Sequence, residues 1–138
     1  MKDEVALQKL DSLARCIERL KAKKPASIEV LEREVDLQDI LIINLERLVQ
    51  SSVDLAIIII AKKNLSPVPT AMSQSFEVLK QHKIISEALC HRLQKAVGFR
   101  NLCVHEYDKI NWNIVYSILD KHLQDFVEFG KIVQILVF

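Results

Sequence analysis

The chain predicts an all-α bundle, and three observations carry that prediction. Hydrophobic residues make up 50% of its 138 positions, yet it holds only 2 Gly and 3 Pro, too few turn-formers for the reversals of a sandwich or barrel. Along most of its length apolar residues recur at spacings of three and four, the period that draws one stripe down a helix. Loop chemistry is confined to short stretches, the clearest being Asn64 to Thr70, which Pro67 and Pro69 keep extended.

The first helix runs from Asp3 to about Lys23, with Ala6, Leu10, Leu13, Ile17 and Leu20 on its stripe. Its basic end, Lys21, Lys23 and Lys24, complements the carboxyl end of the helix dipole, and Pro25 stops it. A surface connection follows from Pro25 to Glu34, with room for a helical turn at Ile28 to Leu31. The second long helix spans about Asp36 to Asn64. Leu37, Leu41, Leu45, Leu48 and Leu55 form one stripe, and Ile40, Ile43, Ile57, Ile58 and Ile60 lie beside it. A helix apolar round so much of its circumference is central in a bundle or faces another subunit. Taken alone, the β-branched run Ile57 to Ile60 fits a strand, but no partner strand is signalled nearby and helix is the reading.

A short helix, about Ala71 to His82, turns Phe76 and Leu79 inward and takes Thr70 or Ser73 as its cap. Lys83 to Ile85 is a brief turn. The next helix starts near Ser86 and leads through Leu89, Leu93, Ala96 and Val97 directly into Arg100. A final helix from about Asn111 to Ile135 carries Ile114, Val115, Leu119, Leu123 and Phe126 on its apolar side. No repeat or internal boundary divides the chain, so residues 1–138 read as one domain.

Several function classes are disfavoured. A formal net charge of +1 supplies no global basic field, so any RNA contact must be local. Cys16, Cys90 and Cys103 are odd in number and scattered, which suggests neither a disulfide framework nor a structural zinc site. They are expected to be reduced thiols in a cytoplasmic protein. The opening Met1-Lys2-Asp3-Glu4 lacks the layout of a signal peptide. Leu55 to Ala61, the most apolar run, is far shorter than the roughly 20 residues a bilayer core demands, and no membrane span is expected.

The chemistry concentrates in Gly98-Phe99-Arg100-Asn101-Leu102-Cys103-Val104-His105-Glu106-Tyr107. In an unbroken helix Arg100 and Tyr107 share a face while His105 points about 140° from Arg100. The two groups converge if the helix ends near His105, or if two copies of it pack about a two-fold axis. Arginine and histidine without a metal constellation suit cleavage of RNA, whose 2′-hydroxyl attacks its own phosphate. Histidine moves protons near neutral pH, the arginine fork stabilises charge on phosphoryl oxygens, and Asn101 orients either partner. Each residue also has a plainer role: an arginine at a helix end as a salt-bridge partner, Tyr107 and Trp112 as core-edge aromatics, a histidine as a structural group. Glu106 either tunes His105 or points to solvent. His82, His91 and His122 lack a recurring spacing or a carboxylate cluster and read as surface or packing residues. Cys103-x-His105 lacks further ligands, so no metal and no cofactor are expected.

Arg100, four residues, His105, one residue, Tyr107 resembles the Arg-x4-His-x-Tyr signature of the HepT-like toxins of the HEPN ribonuclease superfamily. The likeness extends over nearly the whole chain: Leu37-Gln38-Asp39, Asn44-Leu45-Glu46-Arg47, Asp54, the Pro67 loop and Phe76-Glu77-Val78-Leu79 follow the family in order and spacing. The resemblance implies a HEPN-type bundle of four or five helices that dimerises through the motif-bearing helices, the paired motifs lining one cleft. It implies a metal-independent endoribonuclease toxin acting on tRNA or mRNA, with Arg100 and His105 catalytic and Asn101 auxiliary. It further implies a nucleotidyltransferase antitoxin of the MntA type that neutralises the toxin by AMPylation of Tyr107. The alternative is a non-catalytic helical binding or regulatory subunit of a nucleotidyltransferase. Either reading carries the expectation of a homodimer through the second long helix and the motif helix.

Overall fold

A computed structural model describes residues 3–138, and among them every regular element is helical. Of the charged opening, Met1 and Lys2 lie outside the described residues. Helix α1 (Glu4–Lys23) starts where Asp3 accepts a hydrogen bond from the Ala6 amide at 2.9 Å, as an N-cap should. Its buried stripe, Ala6, Leu13, Cys16, Ile17 and Leu20, lies against the second long helix and the last one.

The stretch from Pro25 to Glu34 is more than a surface connection. Ser27 caps a complete short helix, α2 (Ile28–Arg33), whose Leu31 is fully buried, and Pro25 is buried as well. The side-chain amide of Gln38 donates to the Leu31 carbonyl at 2.8 Å and ties α2 to the helix that follows.

That helix, α3 (Val35–Lys62), is the axis of the fold and packs against α1, α2 and three later helices. The isoleucine run is helical because its residues bury at helical spacing: Leu55, Ala56, Ile59 and Ile60 face inward while Ile57 stays 46% exposed. Ile43 is also outward, at 44%. Most of the broad apolar surface is therefore covered within one chain. Small residues let α1 approach closely, and the Ser51 hydroxyl donates to that of Ser12 at 3.2 Å.

After the loop, which contains a cis Ser66-Pro67 bond, comes α4 (Met72–Gln81). Neither Thr70 nor Ser73 caps it through a side chain; instead Gln74 Oε1 reaches back and accepts from both the amide and the hydroxyl of Thr70 at 2.8 Å. Phe76 of α4 meets Phe129 edge-on, ring centroids 5.6 Å apart, with both rings fully buried. The turn after α4 is made by Lys83 at φ 61°. Helix α5 (Glu87–His105) then begins at Ser86, whose hydroxyl accepts from the Leu89 amide at 3.1 Å.

The expected single final helix is interrupted. A 3₁₀ turn over Tyr107–Lys109 precedes α6 (Trp112–Ser117), a π-helical turn follows at Ile118–His122, and α7 (Leu123–Val137) completes the chain. A π turn rotates the register of the residues beyond it. That rotation suits the packing, because α6 lies on α2 whereas α7 lies on α1, α3 and α5. All three cysteines are free and buried. Among the described residues no helix is long and apolar enough to cross a membrane.

Candidate functional site

Helix α5 carries the motif. Leu89, Leu93 and Val97 bury one stripe of it, and Arg100 and Cys103 continue that stripe at i+3 and i+6 from Val97. Arg100 is thereby half-buried although it is charged. Its Nη1 donates to Asn101 Oδ1 at 3.3 Å and reaches Met72 Sδ at 3.9 Å, while its buried Nε has no partner. Glu46 of α3 lines the same small pocket without pairing with it, and among the described residues Arg100 makes no salt bridge. A half-buried guanidinium whose buried Nε has no partner has not met its hydrogen-bonding requirement among the described residues. Anionic oxygens would meet it.

His105 is the last residue of α5 and its side chain is exposed. The helix holds through that residue, so the turn of about 140° between Arg100 and His105 stands. Among the described residues no hydrogen bond or ion pair brings the two side chains together within one chain. Glu106 does not engage the histidine; its carboxylate pairs with Lys109 at 3.0 Å. Cys103, between the two motif residues, is buried, and burial followed by the nearby Glu46 charge pushes its thiol up to about 12. It stays a neutral thiol and is no nucleophile.

Tyr107 is where the straight-helix geometry fails. Backbone angles of φ −141° and ψ 57° at Glu106 end α5, and Tyr107 belongs to the 3₁₀ turn that follows instead of to the motif helix. Its phenol donates to Asp39 Oδ1 on α3 at 2.6 Å, and its ring meets Trp112 nearly edge-on, centroids 6.4 Å apart. Partial burial first, and the Asp39 contact second, push the phenol up to about 12. The residue is nonetheless 42% exposed. Asp39 lies in one of the segments that resemble the family, yet its sequence position gave it no role; only the fold shows that it touches the tyrosine.

The other histidines sit elsewhere. His82 Nε2 is 2.8 Å from the Ser66 carbonyl oxygen, His91 is exposed on α5, and His122 Nδ1 lies 3.4 Å from Asp125, which also holds Arg92 at 2.8 Å.

Known proteins are similar to this chain over nearly its whole length. A family described as ribonuclease HepT-like matches residues 13–133. The mRNA nuclease HepT of Shewanella oneidensis is 30% identical over 132 residues, covering 96% of this chain and 98% of that protein. Among solved structures, a tri-AMPylated Shewanella oneidensis HEPN toxin in complex with an MNT antitoxin aligns with a TM-score of 0.89 at 30% identity, over 96% of this chain and 98% of that one. A toxin–antitoxin structure with AMP-PNP also aligns at 0.89, with 29% identity over 96% and 99% of the two chains. Matches that run through all the long helices and the motif leave one assignment: the chain belongs to the ribonuclease HepT-like family.

Proposed function

We propose that this chain is an endoribonuclease toxin that cuts mRNA or tRNA in a cleft completed by a second copy, Arg100 and His105 supplying the chemistry without a metal. The observation that carries the reading is the Arg100 guanidinium, half-buried and unpaired by any carboxylate among the described residues. A phosphodiester supplies the oxygens it lacks. In the reaction the substrate's 2′-hydroxyl attacks the adjacent phosphorus and the 5′-oxygen leaves. His105 moves a proton, Arg100 stabilises the charge gathering on the phosphoryl oxygens, and Asn101, within reach of Arg100, keeps the guanidinium aimed.

Two features support a homodimer. Arg100 and His105 leave α5 in different directions, so the nearest His105 to a given Arg100 in a two-fold arrangement can belong to the other chain. Gly98, on the exposed side of α5, would carry a Cβ into open space, and Ile43 and Ile57 leave apolar surface on α3. A glycine inside a helix costs about 1 kcal/mol against alanine, and close approach of another backbone offsets that cost. The reading extends to control: a nucleotidyltransferase antitoxin, as in the solved relatives, transfers AMP to Tyr107 and silences the site, and toxin, RNA and ATP meet in the cytoplasm. A purely non-catalytic binding subunit has no observation of its own in its favour.

The test mixes two inactive chains. Arg100→Ala and His105→Ala proteins carrying different tags are co-expressed, and the heterodimer is isolated through both tags. Recovery of a fraction of wild-type RNA cleavage is expected, since one Arg100 and one His105 remain across the interface. A stable heterodimer with no activity above either parent contradicts the shared cleft.

A further inference from the structure

We propose that Asp39 is the general base for nucleotidyl transfer onto Tyr107, an inference that rests on the reading of Tyr107 as the acceptor. The two residues are 68 positions apart, and the fold alone makes them neighbours. The phenol is held three ways. Its backbone is set by the 3₁₀ turn, in which Lys109 N donates to Glu106 O at 2.9 Å and Ile110 N to Tyr107 O at 3.3 Å. Trp112 supports the ring, and Asp39 Oδ1 accepts a hydrogen bond from the phenol at 2.6 Å. This is within the distance a general base requires.

The residue is 42% exposed and its hydrogen bond to Asp39 lies at the surface, so an incoming phosphorus can approach from solvent while the proton leaves toward α3. In the step, the Tyr107 oxygen bonds to the α-phosphorus of a nucleoside triphosphate. The bond from that phosphorus to the bridging oxygen breaks, pyrophosphate leaves with the electron pair, and the proton passes to Asp39 and then to water. A phenol pushed up to about 12 is almost wholly protonated near neutral pH, so the proton has to be removed as the bond forms.

Among the described residues no other group hydrogen-bonds the phenol. On α5, Cys103 is a buried neutral thiol and His105 makes no hydrogen bond to the phenol. In the turn, Glu106 is held by Lys109 at 3.0 Å. On α3, Glu46 acts on Tyr107 only through its charge, and α6 presents the uncharged Trp112.

The experiment measures single-turnover AMP transfer, by intact mass, onto the full chain from the antitoxin of its HepT-like relatives with ATP and magnesium, at several pH values. Asp39→Asn is expected to slow transfer by about 10²- to 10⁴-fold near neutral pH, and Asp39→Glu to restore most of the rate. The ratio of the Asp39→Asn rate to the wild-type rate should climb about tenfold per pH unit from 7 to 9, because the variant depends on the phenolate fraction while both proteins share every other titration. A merely structural role for Asp39 would give a deficit independent of pH, and that result, or a variant modified at the wild-type rate, overturns the inference. Wild-type protein that gains no AMP at all overturns the Tyr107 reading and this inference with it.

Discussion

Replacing His105 by alanine is expected to lower RNA cleavage by about 10²- to 10⁴-fold, the usual worth of a positioned proton-transfer group. Arg100→Ala is expected to cost about 10²- to 10³-fold through lost stabilisation of the phosphoryl oxygens. Neither change should unfold the chain. His105 is an exposed helix end, and among the described residues the Arg100 guanidinium makes one long hydrogen bond and a sulfur contact, so its removal breaks no buried network there. Helical circular dichroism should match the wild type while the cleavage rate collapses. Arg100→Lys should not restore activity, because an ammonium lacks the planar fork that grips two oxygens at once. A folded His105→Ala protein that still cuts RNA at the wild-type rate would remove the histidine from the mechanism.

Tyr107→Phe separates control from chemistry. The substitution keeps the ring against Trp112 and deletes only the oxygen, at a stability cost of about 0.5–1.5 kcal/mol or less, since the Asp39 bond is solvent-exposed. With the nucleotidyltransferase and ATP present, the variant should gain no mass and should go on cutting RNA when the wild type has been silenced. The reason is proximity. Tyr107 follows His105 by two residues, so an AMP on the phenol puts a phosphodiester charge and a base beside the histidine, where they occupy the cleft and repel the substrate backbone. A Tyr107→Phe chain silenced as fully as the wild type would place the control elsewhere.

Much of the fold could be read from residue order. The helix starts near Asp3 and Ser86, the stripes of α1 and α5, and the central place of α3 follow from local patterns that the packed structure reinforces. What was not legible depended on tertiary neighbours. The helix at Ile28–Arg33 is too short for a period to stand out, and it forms because Leu31 finds a fully buried seat. The π turn at Ile118–His122 serves two packing partners on either side of it, a demand no local pattern announces. The same holds at the site. Arg100 and His105 were named by their spacing and chemistry, whereas the escape of Tyr107 from their helix and its seat on Asp39 arise from the break at Glu106 and a contact across 68 residues.

One measurement bears most directly on the central claim: RNA cleavage in EDTA by the same chain prepared with and without its nucleotidyltransferase, with the intact mass of each preparation recorded. Unmodified protein that cuts RNA in the chelator, and protein carrying one or more AMP units that does not, is the predicted result. Unmodified, folded protein that leaves RNA intact under these conditions would contradict the account.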